Sequence, residues 1–436
     1  MRPVLSSVSP QFFSFINFFF YVLADIGAAD KFYHERSFLG PSVWAFGSNG
    51  VSIYSIDGSK EIKHHKNTDI CKQTERGQEC QYRDAVTDGK KHVFASNWQL
   101  NSTVDVFSID SGDFVASLHT CGNPWVLDYH PGRDELWVHC WGPDPEEGDT
   151  GHIDVFSASA IGTPLSQIPL HDDLVDHVHG SVVVDSSLGH IGYGTDLNTP
   201  FLYKMDLNGK QVISQKEMPD TNGLYRMAYS HQNKHIYLRS YVCCSCGFEG
   251  ADLPACGRGG GRPVNVTTGP NPGINLEGTC GHGCEGSPAD TNGVFEYNTV
   301  EDSIVGNWQI ADGFGADPYA SPYGDFVALF GNNGGATVRL LKPSVTGRLS
   351  VLWADVEVGF DTEAPAGEKA VSDSVFIQDS KHNIAIFTST LSNSVVLVDL
   401  SGSDPVTKRL TLTEDVEITS KHGMFHPSLF FHIYFL

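Results

Sequence analysis

The sequence predicts an all-β fold: a seven-bladed β-propeller of four-stranded antiparallel blades, with a cysteine-rich insertion in the fifth blade. Three observations lead there. Between residues 43 and 412 one pattern recurs about seven times: a short apolar strand, a Gly/Asn/Ser loop, an alternating strand ending near an Asp, and a tight turn. No long segment has the i, i+3, i+4 apolar spacing of an amphipathic helix. The 45 glycines and 11% aromatic content suit many short strands joined by turns. Repetition at this period marks a solenoid or a propeller, and four strands per repeat favours the propeller. A ring of roughly 45–50 residues per blade uses nearly all of the 436 residues, so residues 43–436 form one domain.

The elements follow in order. Val43-Trp44-Ala45-Phe46 with Val51-Ser52-Ile53-Tyr54 starts the series, and Val93-Phe94-Ala95 with Val104-Asp105-Val106-Phe107 continues it. Leu136-Trp137-Val138 pairs with Ile153-Asp154-Val155-Phe156; Leu202-Tyr203-Lys204-Met205-Asp206 and Gly293-Val294-Phe295-Glu296-Tyr297 follow. Phe326-Val327-Ala328-Leu329-Phe330 and Ala385-Ile386-Phe387 complete the set. Each repeat extends backward to an inner strand, for example Asp84-Ala85-Val86-Thr87, Trp125-Val126-Leu127-Asp128, Ser181-Val182-Val183-Val184-Asp185, Tyr225-Arg226-Met227-Ala228 and Tyr319-Ala320-Ser321-Pro322. His130-Pro131-Gly132-Arg133 and His231-Gln232-Asn233-Lys234 carry turn chemistry between inner pairs. The first repeat lacks an inner strand, and residues 421–427 are expected to supply it, closing the ring and removing two exposed edges. The apolar stretch 429–436 is either a buried closing strand or foreign to the native chain.

Residues 1–29 are expected to form a signal peptide: Arg2 leads, an apolar run lies between Phe12 and Leu23, and Gly27-Ala28-Ala29 offers small residues for cleavage. That run of about 12 residues is short for a bilayer span, so no span is expected after its removal. The ten cysteines are an even number, which together with a signal favours disulfides. Cys71 and Cys80 are close enough to close a small loop, and antiparallel pairing about Pro131-Gly132 brings Cys121 to Cys140. Cys243, Cys244, Cys246, Cys256, Cys280 and Cys284 fill the insertion, residues 243–293, with their pairing left open. Asn101 and Asn265 begin glycosylation sequons. With 52 acidic and 28 basic residues the net charge is −24, which repels nucleic acid and attracts divalent cations or basic proteins, or simply keeps the surface soluble.

Cys80-Gln81-Tyr82-Arg83-Asp84-Ala85-Val86, Asp134-Glu135-Leu136-Trp137-Val138-His139-Cys140-Trp141-Gly142, and Gly189-His190-Ile191-Gly192-Tyr193-Gly194 with Tyr203-Lys204-Met205-Asp206-Leu207 carry a resemblance. They resemble the C-terminal propeller region, with YVTN-type repeats, of the follistatin-like secreted glycoproteins, over scattered motifs between residues 70 and 410. The follistatin, EF-hand and immunoglobulin modules of those proteins have no counterpart here, so the resemblance implies a secreted propeller and no activity that rests on those modules.

Chemistry candidates are few. His177 and His179 would share a strand face and could hold a transition metal with Asp173 or Asp176; the alternative is a solvated loop. Asp144, Glu146, Glu147 and Asp149 cluster as hard oxygen donors suited to calcium, or form a plain acidic loop. Asp220-Thr221-Asn222-Gly223 and Asp290-Thr291-Asn292-Gly293 are turns, and Cys280-Gly281-His282-Gly283-Cys284 is a disulfide segment rather than a zinc site. No nucleophile set can be assembled, so no catalytic residue is assigned. The expectation is a secreted, acidic extracellular interaction or matrix protein that needs no cofactor and associates with Ca2+ or a mineral surface. Its partners would be extracellular proteins. The alternatives are a lactonase- or phytase-like metal hydrolase using inner-strand Asp84, Asp128, Asp185 and His179, and a secreted signalling ligand or modulator.

Overall fold

The computed structural model describes residues 42–140, 152–170, 180–241, 293–358, 373–411 and 433–435, apart from short gaps within these stretches. Seven four-stranded antiparallel sheets and one two-stranded hairpin make up the described sheet structure. Blade 2 runs Tyr82–Thr87, His92–Asn97, Thr103–Ser108, Phe114–His119, and blade 3 runs Pro124–His130, Glu135–Cys140, Ile153–Ser157, Ser166–Ile168. Blade 4 is Val182–Val183, Ile191–Gly194, Phe201–Asp206, Gln211–Glu217; blade 5 is Gly223–Ser230, His235–Tyr241, Gly293–Asn298, Ser303–Gln309. Blade 6 is Phe314–Ala320, Val327–Asn333, Thr337–Lys342, Val351–Glu357; blade 7 is Asp373–Gln378, Asn383–Thr388, Ser394–Asp399, Val406–Thr411. First strands of successive blades touch one another, which places them around the axis.

Blade 1 joins the two ends of the chain. Ser42–Gly47, Gly50–Ser55 and Glu61–Lys66 are its outer three strands, and Ile433–Phe435 is the fourth. Val43 pairs with Phe435, Trp44 with Tyr434 and Ala45 with Ile433. The strand that pairs with Ser42–Gly47 is therefore 433–435, inside the stretch 429–436 expected as a closing strand, and not 421–427, which lies outside the described residues. The physical reason is composition: Ile433, Tyr434 and Phe435 are β-formers. Two inner strands also differ from expectation. That of blade 6 starts earlier, at Phe314, and stops at Ala320, because Ser321 turns the chain and accepts Phe326 N–H at 3.1 Å. That of blade 4 ends at Val183, because Asp185 caps the 3-10 turn Ser186–Leu188 instead of extending the strand.

Alternation along each strand sends apolar side chains to both sheet faces, and each core belongs to two blades. Trp44, Phe46 and Ile53 of blade 1 pack on Tyr82, Val93 and Phe107 of blade 2. Phe94 and Val106 meet Leu127 and Leu136; Trp137 and Ile153 meet Tyr203 and Met205; Tyr193 and Leu202 meet Ile236 and Tyr297. Tyr237 and Val294 meet Val327 and Leu341, and Phe330 and Leu340 meet Phe387 and Val398.

Buried acids brace these cores. Asp105 accepts from Tyr82 Oη (2.8 Å), Asn97 Nδ2 (2.9 Å), Thr103 Oγ1 (3.1 Å) and Ser117 Oγ (2.6 Å). Glu296 accepts from Trp308 Nε1 (2.7 Å) and Ser350 Oγ (2.8 Å), and His235 Nδ1 lies 2.7 Å away. On Asp88, three backbone N–H groups and His92 outweigh the burial that would raise its pKa, and draw it down to about 2. Disulfides join Cys71 to Cys80 and Cys121 to Cys140, with Cα–Cα separations of 5.4 and 5.8 Å.

Removing residues 433–436 should leave the strand Ser42–Gly47 with an unpaired inner edge. The expected result is a lower melting temperature and concentration-dependent association, read by calorimetry and size-exclusion chromatography. A truncated chain that melts like the full one and stays monomeric would show that this strand does not close the ring.

Candidate functional site

Antiparallel order makes the two ends of the ring unequal. First strands begin, and second strands end, on one face, here called the loop face. The other face carries short turns such as 88–91, 131–134, 207–210 and 231–234. The connections containing Cys71, Cys80 and Cys121 leave from the loop face, and Cys140 ends a strand there. Segments 141–151, 171–179 and 242–292 also join strand ends on that face, as does 98–101. These segments lie outside the described residues. They hold Asp144, Glu146, Glu147, Asp149, Asp173, Asp176, His177, His179, Cys243, Cys244, Cys246, Cys256, Cys280, Cys284, Asn101 and Asn265.

Just inside the loop face, the axis is crossed by a layer of arginines and aromatic rings. Three irregularities in the inner ladders build it. The pairing register shifts between Tyr82 and Ala85, between Pro124 and Val126, and between Leu224 and Met227. The residues at the shifts are Arg83 and Asp84, Trp125, and Tyr225 and Arg226. A bulge breaks strict alternation and re-aims its side chains, which is how charged groups come to face the axis from apolar strands. The Arg83 guanidinium carbon lies 4.3 Å from the Trp125 ring centroid, and the Trp125 and Tyr225 centroids are 6.2 Å apart. Arg239 stands 4.7 Å over Tyr225 and Arg226 stands 4.3 Å over Tyr319.

Two carboxylates complete the layer. Arg239 Nη1 donates to Asp317 at 2.8 Å, with both side chains buried. Arg226 Nη2 reaches from blade 5 to within 3.7 Å of Asp84 in blade 2, on the far side of the ring. That span fixes the layer on the axis. Burial brings the Arg83 pKa down to about 9, while burial and then the Asp317 charge push the Tyr225 phenol up, against the nearby Arg239, Arg83 and Arg226.

The acids proposed from sequence for hydrolysis have other occupations. Asp84 Oδ2 accepts Leu127 N–H at 2.8 Å, and Asp128 Oδ2 accepts Val184 N–H at 2.7 Å, so each ties its blade to the next. Asp185 Oδ1 accepts Ser187 N–H at 2.7 Å in its turn. His179 lies outside the described residues. Burial raises the Asp128 carboxyl to about 7, helped by Asp185 and Asp84 and opposed by its two backbone hydrogen bonds.

Among the described residues, Cys121, His152 and Asp154 form a group with metal-like spacing. The Cys121 sulfur is bonded to Cys140, Asp154 accepts Cys121 N–H at 2.8 Å, and His152 Nε2 lies 2.9 Å from Asp154. The group is a brace. Sequence reading missed the arginine layer, although an Arg inside each of the apolar strands Tyr82–Thr87 and Gly223–Ser230 was the available signal.

Two outcomes follow. Asp317→Ala strands a buried guanidinium and should cost about 3–5 kcal/mol in urea unfolding, and combining Asp317→Leu with Arg239→Met should recover much of that loss. A single variant as stable as the parent would show the pair to be dispensable. Because the folded-state pKa of Asp128 is raised, its protonated form favours folding, and that contribution is lost as pH rises from about 4 to about 7. Melting temperature should therefore fall across this window less steeply in Asp128→Asn than in the parent; parallel curves would contradict the assignment.

No protein-family model matches the chain, and no curated protein matches it. Among solved structures it is similar to hydrazine synthase of Kuenenia stuttgartiensis, with TM-score 0.54 and 14% identity over 81% of this chain and 90% of that one. It is also similar to a chain of a mitotic checkpoint complex, with TM-score 0.51 and 11% identity over 81% of this chain and 82% of the other. At such identities the likeness speaks for the fold alone: the chain is a seven-bladed β-propeller.

Proposed function

We infer that the chain is a secreted propeller that acts by binding, presenting the loop face of its ring to extracellular proteins or to a matrix or mineral surface. The one-sidedness of the ring carries this reading. All ten cysteines and both sequons fall in, or at the border of, connections that join strand ends on one face. Cysteine staples are the usual support for connections with too little apolar surface to pack alone. The opposite face has tight turns and carries none of these features.

Further support comes from the inner-strand acids. A hydrolase of the metal-dependent kind needs carboxylates that converge on one ion, whereas Asp84 and Asp128 hold backbone N–H groups at separate blade junctions. The resemblance of the strand motifs to the propeller region of follistatin-like secreted glycoproteins points the same way. Among the described residues no helix is long and apolar enough to cross a membrane. Calcium association belongs to this reading through Asp144, Glu146, Glu147 and Asp149, whose oxygens suit a hard cation.

Expression in animal cells with the native N-terminus tests the reading. The protein is expected in the medium, starting near residue 30, with no thiol open to alkylation and with glycan on Asn101 and Asn265. Retention inside the cell with reduced cysteines would overturn it. Calorimetric titration with calcium should show weak binding, with Kd of about 10⁻⁴–10⁻³ M as in extracellular modules, lost when the four acidic residues are replaced by Ser. Absence of heat would remove the calcium part alone.

A further inference from the structure

We propose that the turn 207–210 is a self-modifying site, at which the Gly209 backbone nitrogen attacks the Asn208 side-chain amide and converts Asn208 to an aspartyl or isoaspartyl residue with release of ammonia. The reaction is an intramolecular acyl transfer that consumes water and no other reagent.

Asn-Gly is ordinary turn sequence and by itself carries no such proposal. What carries it is a base on the nucleophile and a cation on the acceptor oxygen. Asn208 and Gly209 are exposed at the tip of the hairpin between Phe201–Asp206 and Gln211–Glu217, where water reaches them. Gly209 has no side chain to shield its nitrogen, and a Cβ there would come within 3.0 Å of Asp206 Oδ2 and 3.2 Å of Gln211 Nε2. The Gly209 N–H donates to Asp206 Oδ2 at 3.1 Å, so a carboxylate is placed to take the proton as the nitrogen attacks. Asp206 Oδ1 accepts the Asn208 N–H at 3.1 Å, which holds both residues against one side chain. From blade 3, Arg133 Nη2 donates to Asn208 Oδ1. Negative charge gathers on that oxygen when the amide carbon becomes tetrahedral, so the fold supplies an oxyanion donor from 75 residues away.

In the first step the bond from Gly209 N to Asn208 Cγ forms and the proton passes to Asp206. The Cγ–Nδ2 bond then breaks, and that proton leaves on ammonia. The succinimide so formed takes up one water, which opens either of its two carbonyl–nitrogen bonds to give the aspartyl or the isoaspartyl product. No atom is oxidised or reduced. The aspartyl carboxylate faces Arg133, so a hydrogen bond between blades 3 and 4 becomes an ion pair, beside the Lys210–Glu135 pair at 2.6 Å that already crosses the same junction. An exposed pair adds little stability. The lasting change is one more negative charge on this turn, and because lost ammonia is not regained, the extent of conversion records how long a molecule has been folded.

Peptide mapping by mass spectrometry tests this on the purified full chain held at neutral pH in heavy-oxygen water. The peptide carrying Asn208 is expected to exchange its amide for a carboxyl group with one heavy oxygen, as a mixture of aspartyl and isoaspartyl forms. Arg133→Gln should slow the conversion at least threefold, while Arg339→Gln, which removes a surface pair with Asp355 in blade 6, should leave it unchanged. In urea, where the fold no longer brings Arg133 to the turn, parent and Arg133→Gln should convert at one rate, slower than that of the folded parent. The comparison of folded with unfolded parent needs no variant. A folded parent that keeps Asn208 intact, or that converts it no faster than the unfolded chain, would overturn the proposal, since the turn would then protect the amide. So would a folded Arg133→Gln protein that converts at the parental rate or faster, because the guanidinium would then contribute nothing to the reaction. A difference between parent and Arg133→Gln that persists in urea would overturn it as well, since the effect would not come from the fold.

Discussion

Every blade here shares its hydrophobic core with a neighbour, and the rest of the structure depends on that sharing. A four-stranded sheet with apolar side chains on both faces cannot cover either face by itself. The clusters that join Trp44 to Phe107, Phe94 to Leu136, Trp137 to Tyr203, and onward to Phe330 with Phe387, are interfaces between blades. A row of such sheets would end in two bare faces, so only a closed ring satisfies all of them. Hydrogen-bonded pairing of Ile433–Phe435 with Ser42–Gly47 makes that closure: one sheet takes strands distant in the chain.

Polar groups then set the register of blade against blade. Apolar contact is non-directional, whereas a carboxylate that must receive a particular N–H permits little sliding. Asp84 on Leu127 and Asp128 on Val184 do this at successive junctions, and Ser96 and Thr195 donate to the carbonyls of Trp125 and Tyr225. The same junctions carry the bulges, so the features that align the blades also turn Arg83, Trp125, Tyr225 and Arg226 toward the axis. Alignment of the blades uses the very acids that look catalytic in the sequence, which explains why they are occupied in the fold.

Much of the architecture was legible before any coordinates. The alternation in Val104-Asp105-Val106-Phe107 and Ile153-Asp154-Val155-Phe156 has one physical solution, a strand buried on both faces, and its repetition implies a ring. The Cys121–Cys140 bridge followed from antiparallel pairing about the turn at Pro131-Gly132, and it is present. Boundaries were less legible. Asp185 could extend a strand or cap a turn, and only the donor at Ser187 decided it. Two segments near the C-terminus were open as closing strands, 421–427 and the apolar stretch 429–436, and only the pairing of Ile433–Phe435 with Val43–Ala45 decided for the second.

The amino-acid sequence alone determined the class of fold, the blade count and two disulfides, because each depends on periodicity or on short separations along the chain. Only the tertiary structure decided the axial layer. Arg83, Arg226, Arg239 and Asp317 come from three blades, and nothing local relates them. Their meeting requires the ring to close and three ladders to slip by a residue, and a register shift leaves no periodic trace in an apolar strand.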